Sequence, residues 1–198
     1  INQLLLAGAG PEGIVGQNIT AGAGSVYHYV CFQQGVWRKG FFDGWLFGNS
    51  YPAEALAQIQ QHPRYDSLWS AVDFSTRAEQ VRWPVVLVGG WFDLLGFTQG
   101  TLDAFVQLQD RGGAGSQPHL VIGPWTHGGV AGNSPQDAGD LHFPPTANYP
   151  HGAPTDLQWL SFWLTGQPAI PVGEPAVRYY VMGDTKDPKA PGNVWRTA

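Results

Sequence analysis

The sequence predicts an α/β protein built on a parallel sheet, and three observations predict it. Two short runs, PVVLVGG at 84–90 and HLVIGP at 119–124, are rich in β-branched residues, nearly unbroken in apolar character and closed by glycine or proline. That is how strands buried on both faces read. Between them, TQGTLDAFVQLQDRGG carries Leu102, Phe105, Val106 and Leu108 before a stop at Gly112, a helical spacing with a helical ending. Strand, helix and strand at this length make a β-α-β unit, with parallel strands and a right-handed crossover.

Composition agrees with a packed domain. A chain of 198 residues that is 43% hydrophobic and only 13% charged can bury about 70% of its unfolded surface and is far from the composition of disordered chains. A net charge of −5 without a lysine or arginine run gives no footprint for nucleic acid or an anionic membrane. No stretch reaches the roughly 20 apolar residues of a membrane span. The single cysteine, Cys31, is expected to be a small buried hydrophobe, since it makes neither an internal disulfide nor a zinc site by itself. The compartment stays open, a cytoplasmic one slightly favoured over secretion, and a homo-oligomer is compatible with the large apolar fraction.

The other elements follow in order. Residues 1–8 read as the end of a helix stopped by Gly8, Gly10 and Pro11, and EGIVGQNITAG as a weak strand with a glycine exit. Residues 36–80 are aromatic and irregular at first (GVWRKGFFDGWLFGNSYP), then helical (AEALAQIQQH), then broken at Pro63; they read as an inserted helical lid. TDLQWLSFWLTG is an amphipathic helix capped by Thr155 or Asp156 and ended by Gly166. From Val177 to Met182 a strand begins what reads as a separate β-rich unit.

In open α/β sheets, ligands bind beyond the carboxyl ends of the strands. Asp93 sits there after the first strand of the unit, in GGWFDLLG, and His127 after the second, in GPWTHGG. Alone, the aspartate would be read as a turn former and the histidine as a loop residue. At equivalent ends of neighbouring parallel strands the two side chains can meet. A carboxylate bonded to one imidazole nitrogen fixes the tautomer and stabilises the imidazolium, the part played by the acid of a Ser-His-Asp triad.

These same residues carry a family resemblance. GGWFDLLGFTQGTLDAF followed by LVIGPWTHGG resembles the acid and histidine motifs of the CocE/NonD and X-Pro dipeptidyl-peptidase group of α/β-hydrolases. PEGIVGQNITAGAGSVYHY is similar to the group's segment after the nucleophile helix, and QWLSFWLTG with VRYYVMG to its last core helix and the first strand of its C-terminal jelly roll. The resemblance implies an α/β-hydrolase core at 1–35 and 81–168, a helical lid at 36–80 and the start of a β-sandwich at 169–198. It implies Asp93 as triad acid, His127 as base, no cofactor, and a small ester, amide or short peptide as substrate. Trp37, Phe41, Trp45, Trp91, Phe92 and Trp125 are the candidate lining of an apolar substrate pocket.

The sequence departs from that pattern at one point. α/β-Hydrolases carry the nucleophile on G-x-S-x-G, before the acid and the histidine, and no G-x-S-x-G occurs here. The serine is therefore expected upstream of Ile1. GNSYPA, around Ser50, imitates the elbow, but Pro52 replaces its second glycine and no β-branched strand precedes it.

Three further patterns point elsewhere. Gly8, Gly10 and Gly13 spell G-x-G-x-x-G, yet no acidic residue lies between Glu12 and Asp43 to hold a ribose. Asp137, Asp140, His142 and His151 fall in a proline-rich loop without metal-ligand spacing, so no metal is expected. Nine tryptophans also suit a non-catalytic module that binds carbohydrate or peptide, and a pseudoenzyme without its nucleophile is a third alternative. The binding module gives Asp93 and His127 no reason to touch, whereas the hydrolase requires it.

Overall fold

The structure, a computed structural model, describes residues 1–48, 52–93, 96–130, 137–167, 170–171, 173–187 and 189–198, without the side chains of Leu46 and Phe47. Ser50 lies outside the described residues. The chain runs through helix α1 (Asn2–Ala9), strand β1 (Gln17–Thr20), a π-helical turn (Val26–Cys31) and a small hairpin of β2 (Phe32–Gln33) and β3 (Val36–Trp37). Three helices follow, α2 (Lys39–Gly48), α3 (Ala53–Gln61) and α4 (Ser67–Ala71), and then β4 (Val85–Phe92), α5 (Phe97–Arg111) and β5 (Pro118–Thr126). A second small hairpin, β6 (Asp137–Ala138) with β7 (Leu141–His142), precedes α6 (Asp156–Thr165), β8 (Val177–Val181) and β9 (Val194–Thr197).

The central sheet has the order β1-β4-β5-β8-β9; the first four strands are parallel and β9 runs antiparallel to β8. Alternation along β4 places its apolar run on both sides of the sheet. Val85 and Leu87 pack with Leu4 of α1 and with Phe105 and Leu108 of α5, whereas Val86 and Val88 face Trp125 and Trp159, the latter on α6. Helices thus cover both faces, which is why these strands contain no polar alternation.

Local signals explain the helix ends. α6 begins in a capping box: the Thr155 hydroxyl accepts from Gln158 N at 3.3 Å, and Gln158 Oε1 accepts from Thr155 N at 2.8 Å. Gly166, in the left-handed region, closes it. α6 can lie against β1 because Gly16 lacks a Cβ, which would sit 2.2 Å from the Trp163 ring.

Two expectations are corrected here. Residues 39–48, part of the stretch read as aromatic and irregular, form α2. A Cβ on Gly40, Gly44 or Gly48 would meet nothing, so the glycines cost helix propensity without serving a close contact. The strand at Val177–Val181, read as the start of a separate β-sandwich, instead pairs in parallel with β5 through Leu120↔Val177 and Ile122↔Tyr179. It satisfies an edge that β5 would otherwise leave open. No described helix is long and apolar enough to cross a membrane.

Candidate active site

The carboxyl ends of β4 and β5 carry the site. The two strands lie in register from Val85↔Pro118 to Gly90↔Gly123, then shift by a bulge before Phe92↔Thr126. Such irregularities re-aim side chains at strand ends. Gly90 is required there, because a Cβ would fall 2.2 Å from the Trp125 carbonyl oxygen. Asp93 N–H donates back to Gly90 O at 3.1 Å, so the chain turns as soon as the strand ends. Thr98, in the first turn of α5, bonds the carbonyls of Gly90 and Asp93 and ties the acid loop to its helix. Gly96, at φ 87°, opens α5 in the left-handed region, where a Cβ would lie 2.2 Å from Tyr29 O. Only glycine meets both demands.

Asp93 and His127 meet. His127 Nδ1 lies 2.9 Å from Asp93 Oδ2, with the carboxylate side chain 1% exposed and the imidazole 49% exposed. A carboxylate only accepts, so Nδ1 carries the proton and Nε2 presents a lone pair. One face of the imidazole rests on Phe97, with ring centroids 5.1 Å apart and planes 31° apart. An imidazole held in this way, half open to solvent on a buried carboxylate, can accept a proton at Nε2 and return it.

The six aromatic candidates pack in different places. Trp125 is a correction. It is 1% exposed, its indole donates to Ala147 O at 2.8 Å, and it packs with Val86, Val88 and Trp159 beneath the sheet end. Trp91 donates to Tyr180 O at 3.1 Å and packs on the α1/α5 side, and Phe92 packs against Phe143. Both join the sheet end to later segments of the chain. Trp37, Phe41 and Trp45 belong to the region read as a lid: Trp37 stacks on Phe42, and Phe41 stacks on Trp45 under the Arg38 guanidinium. Of these, Trp45 is exposed.

Several interactions around the site have no isolated sequence signal. Phe97 against His127 and Thr98 under the acid loop become visible only once α5 is known to start immediately after Gly96. A second buried carboxylate, Asp73, accepts from the Ser25 and Tyr65 hydroxyls at 2.9 and 2.8 Å and from Ser75 N and Oγ at 2.9 and 2.6 Å. It links the start of the π-helical turn to the exit of α4. Burial, followed by the hydrogen bond to Asp73 and its charge, pushes the Tyr65 phenol up to about 12.

The remaining patterns hold no ligand arrangement. Gly8 lies inside α1 and Gly10 caps its C-terminus, whereas a dinucleotide loop follows a strand and opens a helix. His142 pairs with Asp137 at 2.9 Å on the surface, and among the described residues no group of three potential ligands converges.

The stretch that builds this corner also matches a known family. Residues 47–129 match the X-Pro dipeptidyl-peptidase (S15 family) model. The match takes in β4, the acid loop, α5, β5 and His127, and it is consistent with the resemblance to the CocE/NonD group. It points to a hydrolase. No curated protein matches the chain.

Proposed function

We propose that this chain supplies the acid and base of a serine hydrolase of the α/β-hydrolase type, which cleaves an ester or amide through an acyl-enzyme. The observation that carries the proposal is the Asp93–His127 contact at the ends of adjacent parallel strands, inside the stretch that matches the S15 family. In this reading the nucleophile and the oxyanion donors lie outside these 198 residues, because the sequence has no G-x-S-x-G. Residues 36–80 act as the helical lid.

The chemistry divides into two half-reactions. His127 Nε2 takes the serine hydroxyl proton as the oxygen attacks the carbonyl carbon, and Asp93 holds the resulting imidazolium. His127 then gives that proton to the departing alcohol or amine. Water enters, loses a proton to Nε2 and attacks the acyl carbon; the imidazolium returns the proton to the serine oxygen as the acid product leaves. An acyl ester and an X-Pro peptide bond are both substrates that this sequence of steps can cleave.

A fluorophosphonate probe tests the reading, because an ordinary serine reacts only when a base and an oxyanion site activate it. A protein carrying the upstream sequence is expected to be labelled at one serine outside residues 1–198 and to lose labelling in His127→Ala. Labelling that persists in His127→Ala would remove His127 as the base. Labelling mapped to Ser50 and dependent on His127 would move the nucleophile into this chain.

A further inference from the structure

We infer that Phe97 is the positioning residue that fixes the plane of the His127 imidazole, a role whose catalytic meaning rests on the hydrolase reading above. One hydrogen bond cannot orient a ring. The bond from Nδ1 to Asp93 Oδ2 fixes a point, while the imidazole stays free to rock about that axis, since the outer torsion of histidine is broad. Rocking swings Nε2 through an arc, and proton transfer tolerates little misplacement of the accepting atom. A flat group against the ring face removes that freedom.

Phe97 meets the requirement. Its ring lies 5.1 Å from the imidazole centroid, tilted by 31°, close enough for face contact. It is itself immobilised. The side chain is buried in a hydrophobic cluster that also contains Tyr27 and Val30 of the π-helical turn, and α5 packs against that turn. Its main chain starts α5 between Gly96, pressed against Tyr29 O, and Thr98, bonded to the acid loop. The same short segment therefore holds both the carboxylate and the ring that bracket the imidazole.

The test is nuclear magnetic resonance on the isotope-labelled protein that carries the upstream sequence, which needs no substrate. In the parent protein, Phe97 ring protons should show Overhauser contacts to the His127 ring, and the Nδ1–H bonded to Asp93 should give a protected downfield signal. Phe97→Leu keeps an apolar filler but loses the flat face, so that signal should be lost to solvent exchange; Phe97→Tyr should retain it. A residue that only filled the core would leave the signal unchanged in Phe97→Leu. An unchanged signal, or the absence of Phe97–His127 contacts in the parent protein, overturns the inference, and the parent measurement decides it even where a variant does not fold. Because no turnover is read, failure of the hydrolase reading shows in the fluorophosphonate experiment and not here.

Discussion

Asp73 and Asp93 are both buried, at 3% exposure each, and they are surrounded in opposite ways. Asp73 is closed off by hydroxyls and an amide from its own neighbourhood, two donors to each oxygen. Nothing mobile or titrating near neutral pH touches it through those bonds. Asp93 instead bonds an imidazole that is half open to solvent and sits at the end of a strand. A carboxylate saturated by hydroxyls is a structural knot. One that props a half-exposed histidine is, in the hydrolase reading proposed above, the acid that orients the base. Burial of an acid alone therefore does not distinguish the two; the exposure and chemistry of the partner do.

The largest effect that separates the two is on stability. Asp73→Ala leaves the buried Ser25 hydroxyl and the more exposed Tyr65 and Ser75 donors without their acceptor, and the loss of a buried charged acceptor with one buried donor left unpaired should cost about 2 kcal/mol. Urea unfolding checks it, with an unchanged Asp93–His127 signal in the fraction that remains folded. A loss below about 0.5 kcal/mol, the range of surface substitutions, would show that Asp73 is not a knot.

A smaller effect sharpens the comparison through pH. Burial pushes the Cys31 thiol up to about 12 from an ordinary 9.0, with the Arg38 charge opposing, and the Tyr65 phenol next to Asp73 also rises to about 12, from 10.0. Both groups are held protonated by the folded state. Their contribution is therefore complete below about pH 9 and is lost as pH rises toward 12, because the unfolded chain releases these protons first. Stability should fall across that window, and the fall should be shallower in a Cys31→Ala, Tyr65→Phe variant. Equal slopes in variant and parent would assign the alkaline loss to other groups.

The β4-α5-β5 unit was legible because its strands are buried on both faces and its helix is punctuated by glycine, and the same reading placed Asp93 and His127 at neighbouring strand ends. α6 was legible through Thr155 or Asp156 at its start and Gly166 at its end, a capping signal confined to a few residues. What escaped depends on partners distant in sequence. α2 was hidden by Gly40, Gly44 and Gly48, whose penalty is local, while aromatic packing such as the stack of Phe42 on Trp37 comes from outside the helix. β8 reads as a strand in any setting, and only pairing with β5 decides which sheet it joins. Trp125 was misread by its nearness to His127. In the structure it packs with Val121 and with Trp159 of α6, and its ring folds over Gly123. Phe97 was passed over because a single aromatic at a helix start has no pattern of its own.

The measurement that tests the central claim most directly is the turnover of Asp93→Asn, per folded molecule, in a protein that carries the nucleophile. The amide keeps the shape of the carboxylate but can hold the opposite imidazole tautomer and cannot stabilise the imidazolium. Turnover of a simple ester should fall on the order of 10⁴-fold with substrate binding little changed, by analogy with the same substitution in a serine-protease triad. Turnover within a few-fold of the parent would contradict the account and reduce the Asp93–His127 contact to a structural pair like the one that Asp73 makes with its hydroxyls.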